Sequence, residues 1–220
     1  FTIGVRPTIS QGSDVAAGGR TATGKPNLNG VWHVMNTAHW DIQDHDAQPS
    51  PFPHLLGAIG AVPAGRGVVE GNEIPYQAWA QAKKKENFAK RMAMDTEDLT
   101  IGDPEAKCYL PGVPRATYMP YPFQILQGDE HITIAYEFSH ATRVIHLDNE
   151  PPPGVDSWMG HSIGRWEGDT LVVDVTEQND RTWFDRAGNF HSDQLHVVER
   201  YTPRGIDGLM YEATIEDRNV

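Results

Sequence analysis

The sequence predicts a mainly β protein, an antiparallel β-barrel or strongly curved sheet of lipocalin-like form, with one helix and a long N-terminal loop region. Two observations favour this fold. From residue 122 onward, strand-like segments recur roughly every eight to twelve residues, with turn residues between them. The chain also contains 21 Gly and 16 Pro, which is typical of many turns and few long helices.

The strand candidates are β-branched or alternating apolar runs that end at turn signals. Glu167-Gly168-Asp169 is the clearest turn, because Gly168 tolerates a positive φ and a β-branched run follows at once. Consecutive strands joined by such short turns predict an antiparallel meander. The candidates are residues 123–127, 131–138, 142–147, 162–166, 170–176, 195–202 and 209–216.

The first half of the chain carries fewer strand signals. Residues 1–27 are rich in Gly, Ser, Thr and Ala and predict an N-terminal arm that contributes no core. We expect a single β-barrel-like domain over residues 28–220, with a loop and helix insertion at about 41–121 and a first strand near 28–34. The helix is predicted from Pro75 to about Met94, where Pro suits the first turn and Ala and Lys favour helix.

Composition excludes some classes of function. The formal net charge of -12 and the pI near 5.2 repel phosphate backbones, so nucleic acid is an unsuitable partner. No run of about 18 apolar residues occurs, so we expect no transmembrane segment. The single cysteine, Cys108, excludes an internal disulfide and is predicted to be a buried or unreactive thiol. The oligomeric state stays open.

Several motifs occur together in one order along the chain. They include DPEAKCYLPGVPR at residues 103–115, WMGHSIGRWEGDTLVVD at 158–174 and TWFD at 182–185. Over roughly residues 28–217 the chain resembles a family of exported bacterial proteins whose activity is uncharacterised. The resemblance implies a removed leader, a periplasmic or extracellular location, and further residues after Val220.

The loop at residues 39–46 is the one place where the sequence suggests a metal ion. His39, Asp41 and His45 are the candidate ligands, since imidazole and carboxylate groups bind divalent ions. Their spacing matches no standard site, so a hydrated acidic loop is the preferred interpretation. We therefore expect no essential metal and no cofactor, and at most a weakly held divalent ion in this loop.

The candidate catalytic residues are His161, Ser162, His191, Asp185 and Glu137. Gly160 and Gly164 flank Ser162 at the interval of a nucleophile elbow, but a hairpin strand is predicted after it where an elbow requires a helix. The alternative chemistry is a general base, His161 or His191, oriented by a carboxylate. The structural alternative is that these Ser and Asp side chains stabilise turns.

The candidate ligand-binding residues are Trp158, Trp183, Arg143, His196 and Arg200. The two tryptophans adjoin Pro-, Gly- and Asp-rich loops, so they could stack on a sugar or an apolar molecule at a barrel mouth. Arg143, His196 and Arg200 lie in runs with apolar neighbours, and we expect them to form one interior network with Glu137. That network is either structural or the polar lining of a site.

Three functions follow as hypotheses. The leading one is an envelope or extracellular β-barrel protein that binds a small apolar or sugar-like ligand between Trp158, Trp183 and the charged concave face. The second is an acid–base enzyme, a hydrolase, lyase or isomerase, that uses a pocket histidine with a carboxylate. The third is a structural or assembly subunit, which would need a large subunit interface and no enclosed pocket.

Overall fold

The fold is mainly β, and a curled β-sheet forms the body of the molecule. The structure is a computed structural model that describes residues 2–9, 19–52, 54, 59–95, 97–98, 100–148, 151–205 and 207–220, with side chains from residue 19 onward. Within these ranges the sheet has nine strands: β1 (Thr2–Ile9), β2 (Gly30–Trp32), β3 (Phe123–Gln127), β4 (His131–Tyr136), β5 (Thr142–His146), β6 (His161–Glu167), β7 (Thr170–Thr176), β8 (His196–Arg204) and β9 (Gly208–Glu216).

The strand order is β1-β9-β8-β7-β6-β5-β4-β3-β2, and β2 to β9 curl into a half-barrel. The predicted fold class and the strands after residue 122 are thus confirmed, and β3 and β7 have the predicted bounds. β1 falls in the predicted arm, where its backbone pairs with β9 at the edge of the sheet. No helix within the described ranges has the length and apolar character needed to cross a bilayer.

One pairing departs from the predicted meander. β5 and β6 are parallel, with Ile145 opposite Ser162 and His146 opposite Ile163. Parallel neighbours need a long connection, and β6 begins fifteen positions after β5 ends. The predicted antiparallel meander is therefore wrong for this one pair of strands.

Two α-helices occur in the described part of the chain, and neither belongs to the sheet. α1 (Ala78–Lys90) confirms the predicted helix, shortened at both ends, and it buries Ala80 and Asn87. α2 (Arg115–Tyr118) has only four residues, and all four are buried. It follows Leu110-Pro111-Gly112, a turn signal that by itself predicts irregular chain.

The buried face of the half-barrel is filled by the chain itself. Thr117 on α2 places its Oγ1 3.1 Å from the hydroxyl of Tyr136 on β4 and 3.4 Å from that of Tyr201 on β8. Val113, just before α2, is held by the side chain of Gln178. The Gln178 amide oxygen accepts from the Val113 N–H (2.8 Å), and its NH2 group donates to the Val113 carbonyl (2.9 Å). We call residues 113–119 the plug, because they occupy the space that an open barrel would offer to a ligand.

An ion pair lies inside the sheet beside the plug. Arg143 on β5 and Glu199 on β8 are 2% and 0% exposed, and they form a salt bridge. Arg143 Nε also donates to Ser162 Oγ at 2.8 Å, while Glu199 Oε1 accepts from the hydroxyls of Tyr201 (3.0 Å) and Tyr211 (2.7 Å). Burial by itself would lower the pKa of Arg143, but the Glu199 carboxylate, together with Tyr201 and Tyr136, raises that pKa overall.

The expected network of Arg143 with Glu137, His196 and Arg200 is wrong. Strand residues alternate between faces, so Glu199 and Arg200 cannot both point inward. Arg200 instead pairs with Glu167 on the outer face (3.1 Å), and His196 Nε2 lies 3.2 Å from Asp174 on the same face. Glu137 is exposed after the end of β4.

We expect Arg143→Ala to lower the free energy of unfolding by about 3–5 kcal/mol, because Glu199 would stay buried without its cation. Urea denaturation followed by circular dichroism measures this loss. Arg200→Ala is the matched control, since its ion pair is about half exposed and contributes much less. Equal losses in the two variants would contradict an interior role for Arg143.

Candidate functional site

A cavity of about 550 Å³ lies among the loop after Trp40, the segment after α1 and the turn after β4. We call it the Trp40 cavity. Its volume is within the range of small-molecule sites. Its large apolar side chains are those of Trp40, Phe52, Val62, Met92, Met94, Tyr121 and Phe138, and its charged ones are those of Arg91, Asp103, Glu105 and Arg186.

The charged wall of this cavity is built on the segment that leads into the plug. Asp103 caps a short 3-10 helix (Pro104–Lys107), where its carboxylate accepts from the Glu105 N–H. Arg115, 1% exposed on α2, donates to both oxygens of Asp103 at 2.8 and 2.9 Å and to Glu105 Oε2 at 2.8 Å. Two buried carboxylates are therefore held by one buried guanidinium, in the bidentate geometry that Arg favours.

Arg186 extends this cluster to the cavity surface. It donates to both oxygens of Glu105, from Nε at 2.6 Å and from Nη2 at 2.5 Å. Its guanidinium carbon lies 4.3 Å from the centroid of the Trp40 ring, which is a cation–π contact. We call Asp103, Glu105, Arg115 and Arg186 the Arg115 cluster; it joins the plug to the aromatic wall.

The cluster also sets the charge states around the cavity. Burial by itself would raise the pKa of Glu105, but Arg115 and Arg186 stabilise the carboxylate and lower that pKa. The pKa of His39, which neighbours Trp40, is lowered to about 3, mainly by burial and to a smaller extent by the charge of Arg186. At neutral pH His39 is therefore uncharged, and Glu105 is ionised between two cations.

Asp185, a predicted catalytic residue, instead anchors the loop that carries Arg186. Its carboxylate is 0% exposed and accepts from the N–H groups of Ile42 (2.9 Å), Ala187 (2.9 Å) and Asn189 (3.1 Å), and from Asn189 Nδ2 (2.6 Å). Burial and the nearby Asp41 carboxylate raise the pKa of Asp185 to about 7, whereas the hydrogen bond from Asn189 acts in the opposite direction. Because four N–H groups donate to it, the Asp185 carboxylate has a structural role in this loop.

The other predicted catalytic residues lie apart from Asp185. His191 is 2% exposed, with Nδ1 2.9 Å from the Ser192 carbonyl and Nε2 2.6 Å from Thr182 Oγ1. A carbonyl can only accept, so Nδ1 carries the proton and Nε2 accepts from Thr182. Burial lowers the pKa of His191, consistent with this neutral form. Ser162 is buried against Arg143, and His161 stacks on His146 at the outer face.

The two tryptophans proposed to hold a ligand do not face each other. Trp158 packs against Tyr109 with a centroid separation of 5.4 Å, beside the main core. Trp183 is 5% exposed in a separate small cluster with Ala80 and Phe190. The sequence could not show this separation, because both residues adjoin similar Pro- and Gly-rich loops.

The candidate metal loop is divided between two environments. His39 lies under Trp40, whereas Asp41 lines a second cavity of about 490 Å³ that also includes Lys84. Burial raises the pKa of Asp41. His45 donates from Nδ1 to the Gln43 carbonyl at 2.8 Å. Cys108, expected to be buried or unreactive, is exposed and lines the Trp40 cavity.

Comparison of the chain with protein-family models, with curated proteins and with solved structures gave no match. The resemblance to exported bacterial proteins therefore stays a prediction based on the motifs. The residues that sequence reasoning missed are those of the Trp40 cavity, above all Arg186. The available signal was Asp103-Pro104-Glu105 followed by Arg115, a concentration of charge in an otherwise turn-rich segment.

We expect Glu105→Gln to lower thermal stability at neutral pH and to matter progressively less below pH 4.5 or so. The folded-state pKa of Glu105 is depressed, so its contribution is present above its ordinary pKa of 4.5 and is lost as the pH falls through the lower folded value. Once Glu105 is protonated, its side chain and the glutamine of the variant are nearly isosteric and equally uncharged. Melting temperatures of both proteins across the acidic range test this; a difference that does not change with pH would contradict it.

Proposed function

We propose that this chain is an envelope or extracellular protein that binds a small, mainly apolar ligand in the Trp40 cavity. The observation that carries the proposal is the cavity wall, where aromatic and methionine side chains surround about 550 Å³ beside a fixed guanidinium. Mainly apolar walls with a few well-placed polar groups are typical of small-molecule sites. The location rests on the motif resemblance alone.

Exposed apolar surface at the cavity supports this proposal. Met92 and Met94 line the cavity, yet 39% and 63% of their surfaces are exposed. A ligand that covered them would remove apolar surface from water, at roughly 25 cal/mol per Å². Methionine side chains also adapt to irregular ligand shapes, because they are unbranched and polarizable.

The charges favour one chemical class of ligand. The charged side chains at the cavity are those of Arg91, Arg186, Asp103 and Glu105, and Arg115 binds both carboxylates from behind, so three cations stand against two anions. Since the carboxylates already accept from Arg115 and Arg186, the excess charge is positive. A ring compound with a hydrogen-bond acceptor or an acidic group suits this site better than a cationic ligand.

The acid–base enzyme has less support. A general base needs one ring nitrogen directed at a substrate, and both nitrogens of His191 are engaged by Thr182 and Ser192. Asp185, its proposed partner, is enclosed by backbone donors. A binding site requires no such catalytic geometry, so ligand binding is the function that the side chains support best.

The test uses 1-anilinonaphthalene-8-sulfonate, an aromatic probe with one acidic group, and the single thiol of the chain as a reporter. Cys108 lines the cavity, so the bound probe should slow its reaction with a thiol reagent. We expect saturable binding by fluorescence and protection of Cys108 at the same probe concentrations. Binding without protection would place the probe elsewhere and overturn the proposal.

Charge-insertion variants localise the site further. Met94→Glu should weaken binding at least about tenfold, or about 1.4 kcal/mol, because it adds a charge to the apolar wall. Met35→Glu is the matched control, since Met35 is 67% exposed and does not line the Trp40 cavity. Equal affinities of Met94→Glu and the unaltered protein would count against this cavity.

A further inference from the structure

Three histidines lie side by side on the outer face of the sheet, at one end of β4, β5 and β6. Their neighbours Ile132, Ile145 and Ser162 are buried at 0%, 0% and 1% exposure, so the alternation of strand residues turns the histidines to the opposite face. These histidines are His131, His146 and His161, and each is half-buried.

The strand register brings these histidines together. His131 is directly opposite His146 in the antiparallel pair β4–β5, and their ring centroids are 5.1 Å apart. His146 and His161, on the parallel pair β5–β6, stack at 5.1 Å with an interplanar angle of 22°. His146 therefore lies between two other imidazoles, which limits the rotation of its ring.

A carboxylate completes the arrangement. Asp148 follows His146 by two residues and is exposed at the surface. One donor atom from each of His131, His146 and Asp148 lies within 4.8 Å of the other two. Ligands of a tetrahedral zinc ion, bound at about 2.0–2.2 Å, lie roughly 3.3 Å apart, so small side-chain rotations would close the set around an ion.

We propose that His131, His146 and Asp148 form a surface binding site for a divalent transition-metal ion, with His161 packed against the ring of His146. Two imidazoles and one carboxylate suit zinc and its neighbours better than calcium or magnesium, which prefer oxygen ligands. Three protein ligands leave coordination positions open to water or to a further molecule.

This site is separate from the Trp40 cavity. His131 begins β4, whereas Phe138 of the cavity lies just after the end of that strand. The five residue steps of β4 span roughly 17 Å. The site is also distinct from the His39–Asp46 loop, where the sequence suggested a metal. Because the histidines are far from the Trp40 cavity, loss of metal binding would leave the proposed binding of an apolar ligand unaffected.

The test is a calorimetric titration of Zn²⁺ into the untagged protein. Bound metal is first removed with a chelator, and the chelator is then removed from the protein solution. We expect one equivalent to bind, with affinity that falls on acidification because protons compete for the same nitrogens. His131→Asn, His146→Asn and Asp148→Asn should each weaken binding at least about tenfold. Cobalt(II) should give a visible absorption spectrum that the same substitutions remove.

His140→Asn is the matched control, because His140 is an exposed histidine in the turn after β4. Its affinity should equal that of the unaltered protein. If either histidine variant fails to fold by circular dichroism, Asp148→Asn decides the matter, since Asp148 is exposed. Unchanged affinity in Asp148→Asn, or an equal loss in His140→Asn, would overturn the proposal.

Discussion

The buried ion pairs of Arg115 with Asp103 and Glu105 are the constraint on which the rest of the structure depends. A guanidinium that is 1% exposed needs acceptors at fixed positions, and the carboxylates that bind its Nη1 and Nη2 come from one 3-10 helix and the residue that caps it. The pairs therefore fix residues 103–107 relative to α2. Since α2 lies on the buried face of the half-barrel, the same contacts set the position of the plug and close the interior of the sheet.

Glu105 connects these buried ion pairs to the surface of the molecule. Its second oxygen is bound by Arg186, Arg186 stacks on Trp40, and the next residue back, Asp185, is held by four N–H donors. Each step joins groups whose geometry is restricted, so the fold itself holds the wall of the Trp40 cavity in place. A preformed wall reduces the ordering cost of binding, so the ligand proposed for this cavity would need few polar contacts.

Local patterns predicted the strands well, because turn chemistry and alternation are properties of adjacent residues. Thr170–Thr176 follows directly from Glu167-Gly168-Asp169, and period-two alternation could also have excluded Arg200 from the interior once Glu199 was placed there. The candidate site was harder to predict. Trp40, Glu105 and Arg186 are distant in sequence, and only the fold of the plug brings them together, so no local pattern contains the cavity.

The three histidines His131, His146 and His161 combine a feature that local sequence predicts with one that it does not. The sequence places each histidine near the end of a predicted strand: His131 begins 131–138, His146 is next to last in 142–147, and His161 directly precedes 162–166. Whether they meet depends on register, since a shift of one residue in either pairing would move a ring to the other face. The β4–β5 hairpin fixes the first register locally, but the β5–β6 pairing is parallel and joins strands that a short turn cannot connect. The proposed metal site therefore depends on a strand pairing that no local sequence pattern specifies.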